Sequence, residues 1–131
     1  MSEHMLTNED ALRAYASMMN TFDASHIEPL LSDEFHYASQ WVFAEIKSKQ
    51  AYLDYIKPKL KTIKASGTHV WAEMAELKRE IPGPCVVLAQ DGQDNLIALV
   101  IAAVKDGKVS RLDMCCAPSP RDAIRTGIYP S

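Results

Sequence analysis

Apolar residues recur at helical spacing in the first half of the chain and alternate in the second. Leu12, Tyr15, Met19 and Phe22, flanked by Ala11 and Met18, fall on one helical face. Thr7 stands just before them and can cap the helix. Asp10, three residues on, completes a capping-box pattern. A second, short helix is expected from Ser25 to about Leu31, with Ile27, Leu30 and Leu31 as its stripe and Pro29 tolerated in its first turn. Ser32 and Asp33 end it, and Phe35 to Ser39 reads as a strand. Tyr52, Tyr55, Ile56, Leu60 and Ile63 keep a helical period in a third helix that starts near Ser48 and closes at Ser66-Gly67. Pro58 removes a backbone donor there and should kink that helix or end its regular part.

From Thr68 onward the pattern is that of strands. His69, Trp71, Glu73, Ala75 and Leu77 share one face, and Val70, Ala72, Met74 and Glu76 the other. Cys85 to Gln90 and Leu96 to Val104 are apolar runs of strand length, and Val109 to Cys116 closes the series. Asp106-Gly107 between the last two is the dipeptide of a tight hairpin. Residues 118–131 contain three prolines and little periodicity, and are expected to form an irregular tail. Helices followed by hairpin-linked strands imply an α+β class with an antiparallel sheet. A sheet this apolar must cover both faces, and three helices cover one. A homodimer through the outer sheet face is therefore expected.

Length sets the domain count at one, since 131 residues is an ordinary domain size. The net charge of −3 and dispersed basic residues leave no electrostatic footprint for nucleic acid. The run Lys57, Lys59, Lys61, Lys64 reads as a solvated helix face. Three cysteines, two of them adjacent, do not make a disulfide framework and fit a reducing, cytoplasmic setting. The longest apolar run is too short to span a bilayer.

The stretches ALRAYASMMNTFDASHIEPLLSDEFHY, SKQAYLDYIKPKL and DGKVSRLDM, in this order, resemble the nuclear transport factor 2-like superfamily with its SnoaL-like and steroid delta-isomerase branches. The resemblance covers about residues 8–117 and implies a curved antiparallel sheet wrapped around N-terminal helices. That is a cystatin-like cone with an internal pocket, and such chains are frequently dimers. It implies no single function, because this scaffold serves enzymes, binding modules and assembly domains. Against the steroid isomerases, Tyr15 falls on the oxyanion-hole tyrosine, but Ser39 stands where the general-base aspartate is required. Leu96 to Val104 also lacks the acid that would be their second oxyanion donor. Against epoxide hydrolases of this scaffold, Asp113 matches the closing-strand acid. The second acid and its arginine find no counterpart.

The candidate site residues follow from position. Tyr15, Tyr37, Trp41, Tyr55 and Trp71 would supply aromatic walls, and His36, Ser39 and Asp113 the polar groups that orient a small, largely apolar ligand. Asp113, paired with Tyr15 as hydrogen-bond donor, is the candidate acid or base if the chain is a lyase, isomerase or hydrolase. The plainer reading has Arg111 neutralising Asp113 on a solvent or dimer face. Strand alternation sends His36 to the side opposite Phe35 and Tyr37, which favours Phe35 and Tyr37 as interior groups. A His36–His69–Asp113 metal site lacks short-range ligand spacing, so neither metal nor cofactor is expected. A third reading is a protein-interaction domain that uses the outer sheet face.

Overall fold

The computed structural model describes residues 5–40, 45–79 and 81–131. Helix α1 spans Asn8–Thr21. It starts on a complete capping box: Asp10 N–H donates to Thr7 Oγ1 and Thr7 N–H donates to Asp10 Oδ2, each at 3.0 Å. It buries Leu12, Tyr15, Met18 and Met19 and ends at Phe22, whose positive φ of 57° turns the chain. The expected second helix is two 3-10 turns, Ala24–His26 and Glu28–Leu30, with Pro29 in the latter. Proline's missing donor suits a tight turn better than a continuing α-helix. Strand β1 therefore begins earlier than expected, at Leu31, and runs to Ser39.

Helix α2, Lys49–Ser66, is capped by the Ser48 hydroxyl and by Gly67 in a left-handed conformation. It continues through Pro58 to Ser66. Strands β2 (Val70–Leu77), β3 (Gly83–Gln90), β4 (Leu96–Lys105) and β5 (Lys108–Cys115) follow as an antiparallel meander. Asp106 and Gly107 both take positive φ, 55° and 76°, as the tight hairpin requires. The C-terminal stretch expected to be irregular contains a 3-10 turn, Pro120–Asp122, and a strand, β6 (Ile124–Ile128). Strand β6 lies antiparallel to β2. Its signal is weak because all five residues are exposed, so no burial pattern marks them.

The sheet order is β1-β5-β4-β3-β2-β6. All pairs are antiparallel except β1 with β5, which no hairpin joins and which run parallel. Register shifts interrupt four of the five strand pairs, and such bulges bend and twist a sheet. Helix α1 packs across β2, β3 and β4, and α2 packs on β1. The larger core lies between helices and sheet, built on Leu12, Tyr15, Phe35, Tyr52, Leu88 and Leu112.

A second, smaller core lies on the outer face: Ala75, Leu77, Cys85, Val87, Leu99 and Cys115, all at most 7% exposed. This is the face expected to need a partner subunit. In the structure the C-terminal segment lies over part of it. After β5 the backbone crosses from one side of the sheet to the other to reach β6, burying Pro120 and packing the Pro120–Asp122 turn on β4 and Ala123 on this core.

Candidate functional site

Alternation along β1 sends Phe35 and Tyr37 into the interior, where α2 delivers Tyr52 and Tyr55 and α1 delivers Tyr15. The rings form one cluster. Phe35 meets Tyr52 edge-on at 4.9 Å between centroids, and Tyr37 lies 5.2 Å from Tyr52 and 5.8 Å from Tyr55. These are favourable aromatic separations. The Tyr37 hydroxyl donates to Met114 Sδ at 3.8 Å and interacts with the side chains of Ser39 and Tyr55. The Tyr55 oxygen accepts from Lys59 Nζ at 2.8 Å. Ile46, bridged to Tyr37 through two backbone hydrogen bonds, borders the cluster.

Tyr52 differs from its neighbours. Its hydroxyl is wholly buried and has no hydrogen-bond partner among the described residues. Burial raises the pKa of Tyr15, Tyr37 and Tyr52 well above the ordinary phenol value, and the neighbouring phenols add to the rise. These three groups are neutral hydrogen-bond donors across the physiological range. Among the described residues the one buried charged side chain is Glu73, which sits on the outer face beside Ala75. The interior is therefore aromatic, hydroxyl-bearing and uncharged.

The sequence-selected residues divide between the two sides of the sheet. Tyr15, Tyr37, Ser39 and Tyr55 come together in the interior with Tyr52 and Met114. Tyr52 was legible in the sequence only as one more apolar helical position. Trp41 lies outside the described residues. Asp113, His36 and Trp71 do not line the interior. On β5, Leu112 and Met114 point to the helices, so Asp113 between them points out. Arg111 Nε donates to both its carboxylate oxygens, at 2.9 and 3.1 Å.

His36 lies 3.6 Å from Glu45, which also pairs with Arg111. Burial opposes ionisation of Glu45, but Arg111 and His36 outweigh it and hold the carboxyl below its ordinary pKa. Trp71 stacks on His69 at 3.8 Å, on the Glu73 side of β2. The separation from Tyr15 is a consequence of parity: positions 36, 111, 113 and 71 all fall on the outward phase of their strands.

Two surface grooves accompany these elements. One, of about 680 Å³, lies outside the cone between the first 3-10 turn and α2, where Lys57 pairs with Glu28 at 2.8 Å. The other, of about 450 Å³, lies between Gln40, Ile81, Ile101, Arg111 and Asp113 and reaches the half-buried Ser39 and Met114. Among the described residues no cluster of His, Cys, Asp or Glu has the geometry of a metal site. No helix among the described residues is long and apolar enough to cross a membrane.

No protein-family model matches the sequence, and no curated protein does. Solved structures match the fold along most of the chain. A nuclear transport factor 2-like protein of unknown function from Cytophaga hutchinsonii superposes with a TM-score of 0.59 at 12% identity, covering 90% of this chain and 97% of that one. This is the nuclear transport factor 2-like fold. A SnoaL-like protein of unknown function from Burkholderia thailandensis matches at 0.58 with 18% identity, covering 86% of this chain and 98% of that one. An uncharacterized cystatin-fold protein from Novosphingobium aromaticivorans gives 0.53 at 12% identity, covering 84% and 98%. At such identities the likeness establishes the nuclear transport factor 2-like fold, an α+β cone of curved sheet and helices, and function rests on the residues themselves.

Proposed function

We propose that this chain binds a small, uncharged, largely apolar molecule in the interior of its cone, among Tyr15, Tyr37, Ser39, Tyr52, Tyr55 and Met114. One observation carries the reading: the fully buried Tyr52 hydroxyl, without a partner among the described residues. Leaving such a group unsatisfied costs about 1–3 kcal/mol, and a phenylalanine would avoid the cost. A ligand acceptor placed beside Tyr52 gives the hydroxyl a role. Because the interior holds no charge among the described residues, a carboxylate there would be desolvated without a counter-ion, which favours a ketone, ester or quinone.

The acid–base alternative, Asp113 acting with Tyr15, has no geometric support, since the sheet lies between them and Arg111 occupies the carboxylate. The protein-interaction alternative would use the outer groove at Ile81 and Ile101.

A matched naphthalene series tests the proposal: naphthalene, 2-acetylnaphthalene and 2-naphthoate, titrated calorimetrically into the wild type and Tyr52→Phe. The ketone should bind at least about tenfold more tightly than the hydrocarbon, an advantage of one hydrogen bond to a buried donor. That advantage should vanish in Tyr52→Phe, and the carboxylate should bind worst. Equal binding of hydrocarbon and ketone, or no change on substitution, would remove Tyr52 from the site.

A further inference from the structure

Strand β6 is held to the body by its pairing with β2 and a few polar side-chain bonds rather than by a buried face. All five residues of β6 are exposed, with Ile124 and Ile128 at 52% and 45%. Its anchor is Glu73, a β2 carboxylate only 3% exposed on the outer face. Glu73 Oε1 accepts from Arg125 Nε and Oε2 from the Gly127 N–H, both at 2.7 Å. Arg125 also donates to Asp94, and the Thr126 hydroxyl donates to Met74 O at 2.6 Å. Beyond β6, Asn20 of α1 grips the same edge. Its side chain exchanges two 2.8 Å hydrogen bonds with the backbone of Ala72 and donates to Pro130 O at 2.7 Å.

The crossover that delivers this segment is short. Sheet order places β4, β3 and β2 between Cys115 and Ile124, roughly 19 Å at ordinary strand spacing. The connecting residues reach roughly 30 Å at full stretch. Part of that reach is spent in the Pro120–Asp122 turn and in passing over the outer core. Pro118 and Pro120 stiffen what remains. A short hinge with little slack, carrying an element bound by specific polar contacts, is the arrangement in which identical elements exchange between copies.

We propose that residues 117–131 form an exchangeable clasp. Closed on its own sheet, it keeps the chain monomeric by occupying the β2 edge and the outer core. Released, it docks on the β2 edge of a second copy and makes the same Arg125–Glu73, Thr126–Met74 and Asn20–Pro130 bonds in trans. The partner is a second copy because the receiving groups are complementary to this segment's own side chains and backbone. Opening the clasp uncovers Ala75, Leu77, Val87 and Leu99, and the exchanged crossover covers them again. The interior aromatic cluster is not involved, so this inference is independent of ligand binding.

Charge reversal in full-length chains tests it. Glu73→Arg and Arg125→Glu are each prepared alone, and each carries a like-charge clash in cis. Mixed together, each clasp matches the other chain's sheet. The expected result is a heterodimer by native mass spectrometry and light scattering, while the double variant E73R/R125E, matched in cis, is monomeric. A mixture that stays monomeric although both variants show folded circular dichroism would overturn the proposal. Where either single variant fails to fold, isotopically heavy and light wild-type chains are mixed at high concentration. Slowly forming mixed dimers support exchange, and their absence refutes it. A wild type that dimerises at once with β6 amides protected in cis also refutes it.

Discussion

Tyr15 and Asp113 lie on opposite sides of one sheet: the phenol is packed with the helices, and the carboxylate is held by Arg111 on the outer face. A substitution of Asp113 should therefore not reach the interior. Asp113→Asn is expected to cost less than about 1 kcal/mol, because the pair with Arg111 is part-exposed and Arg111 keeps Glu45 as partner. The affinity for 2-acetylnaphthalene should be unchanged. Denaturant unfolding and calorimetry measure the two quantities. A loss of binding by tenfold or more would place Asp113 in the site after all.

Tyr52 and Tyr37 touch each other but should respond oppositely to loss of the hydroxyl. Tyr52→Phe removes an unsatisfied buried group and should leave stability unchanged or raise it by up to about 1 kcal/mol. Tyr37→Phe removes a hydroxyl that contacts Met114, Ser39 and Tyr55, and should cost about 0.5–1.5 kcal/mol. Midpoints of urea unfolding distinguish the two. Destabilisation by Tyr52→Phe of the same size as by Tyr37→Phe would mean that an ordered water already satisfies Tyr52.

The three cysteines should separate by burial. Cys116 is exposed, and its thiol donates to Gln40 Oε1 at 3.0 Å. Cys85 is fully buried, with its thiol pushed up to about 12 by burial and by the nearby Glu76. Cys115 is 7% exposed, and burial raises its pKa too. A disulfide reagent that reports released thiolate should therefore modify one cysteine per folded chain at neutral pH and three in denaturant. Peptide mapping should place the first label on Cys116. Rapid labelling of Cys115 would show that the crossover above it opens readily.

The elements whose signals were local were readable from the chain alone. Thr7 with Asp10, Ser48 before α2, and Asp106-Gly107 each act within a few residues, and each does what its chemistry dictates. The fold class followed from their order. Two things did not follow. The direction of β1 against β5 depends on a pairing between distant segments, about which neither strand's own residues carry information. The clasp was hidden because β6 buries nothing, and its anchor, Glu73, looks in sequence like any outward strand acid.

The site was half readable for a related reason. Period-2 alternation correctly groups Phe35 with Tyr37 and opposes them to His36, but it does not say which group faces the helices. On β5 the same ambiguity leaves Asp113 open as an interior candidate in the sequence, and the packing of Leu112 and Met114 against the helices turns it outward. Tyr52 is marked in the sequence only as a helical apolar position, because being unpaired is a property of the packed interior, not of a residue type.

The buried phenols also fix how the protein responds to alkali. The ordinary tyrosine pKa is 10.0, and burial raises that of Tyr15, Tyr37 and Tyr52 in the folded chain. Below pH 10 both folded and unfolded chains hold these protons, and the contribution of the neutral phenols to stability is fully present. Above it the unfolded chain releases them while the folded chain retains them, so stability falls as pH rises. The slope reaches about 1.4 kcal/mol per pH unit for each phenol, or about 4 for the three together.

Thermal melting should thus be flat with respect to these groups from pH 7 to 9 and fall steeply above pH 10. The ultraviolet absorbance of tyrosinate from the buried set should appear with unfolding and not before it. Tyr52→Phe should flatten the decline by about a third. Titration of all five tyrosines near pH 10 in a chain that remains folded would show that water reaches the interior freely, and would undo the picture of a dry, donor-lined cone.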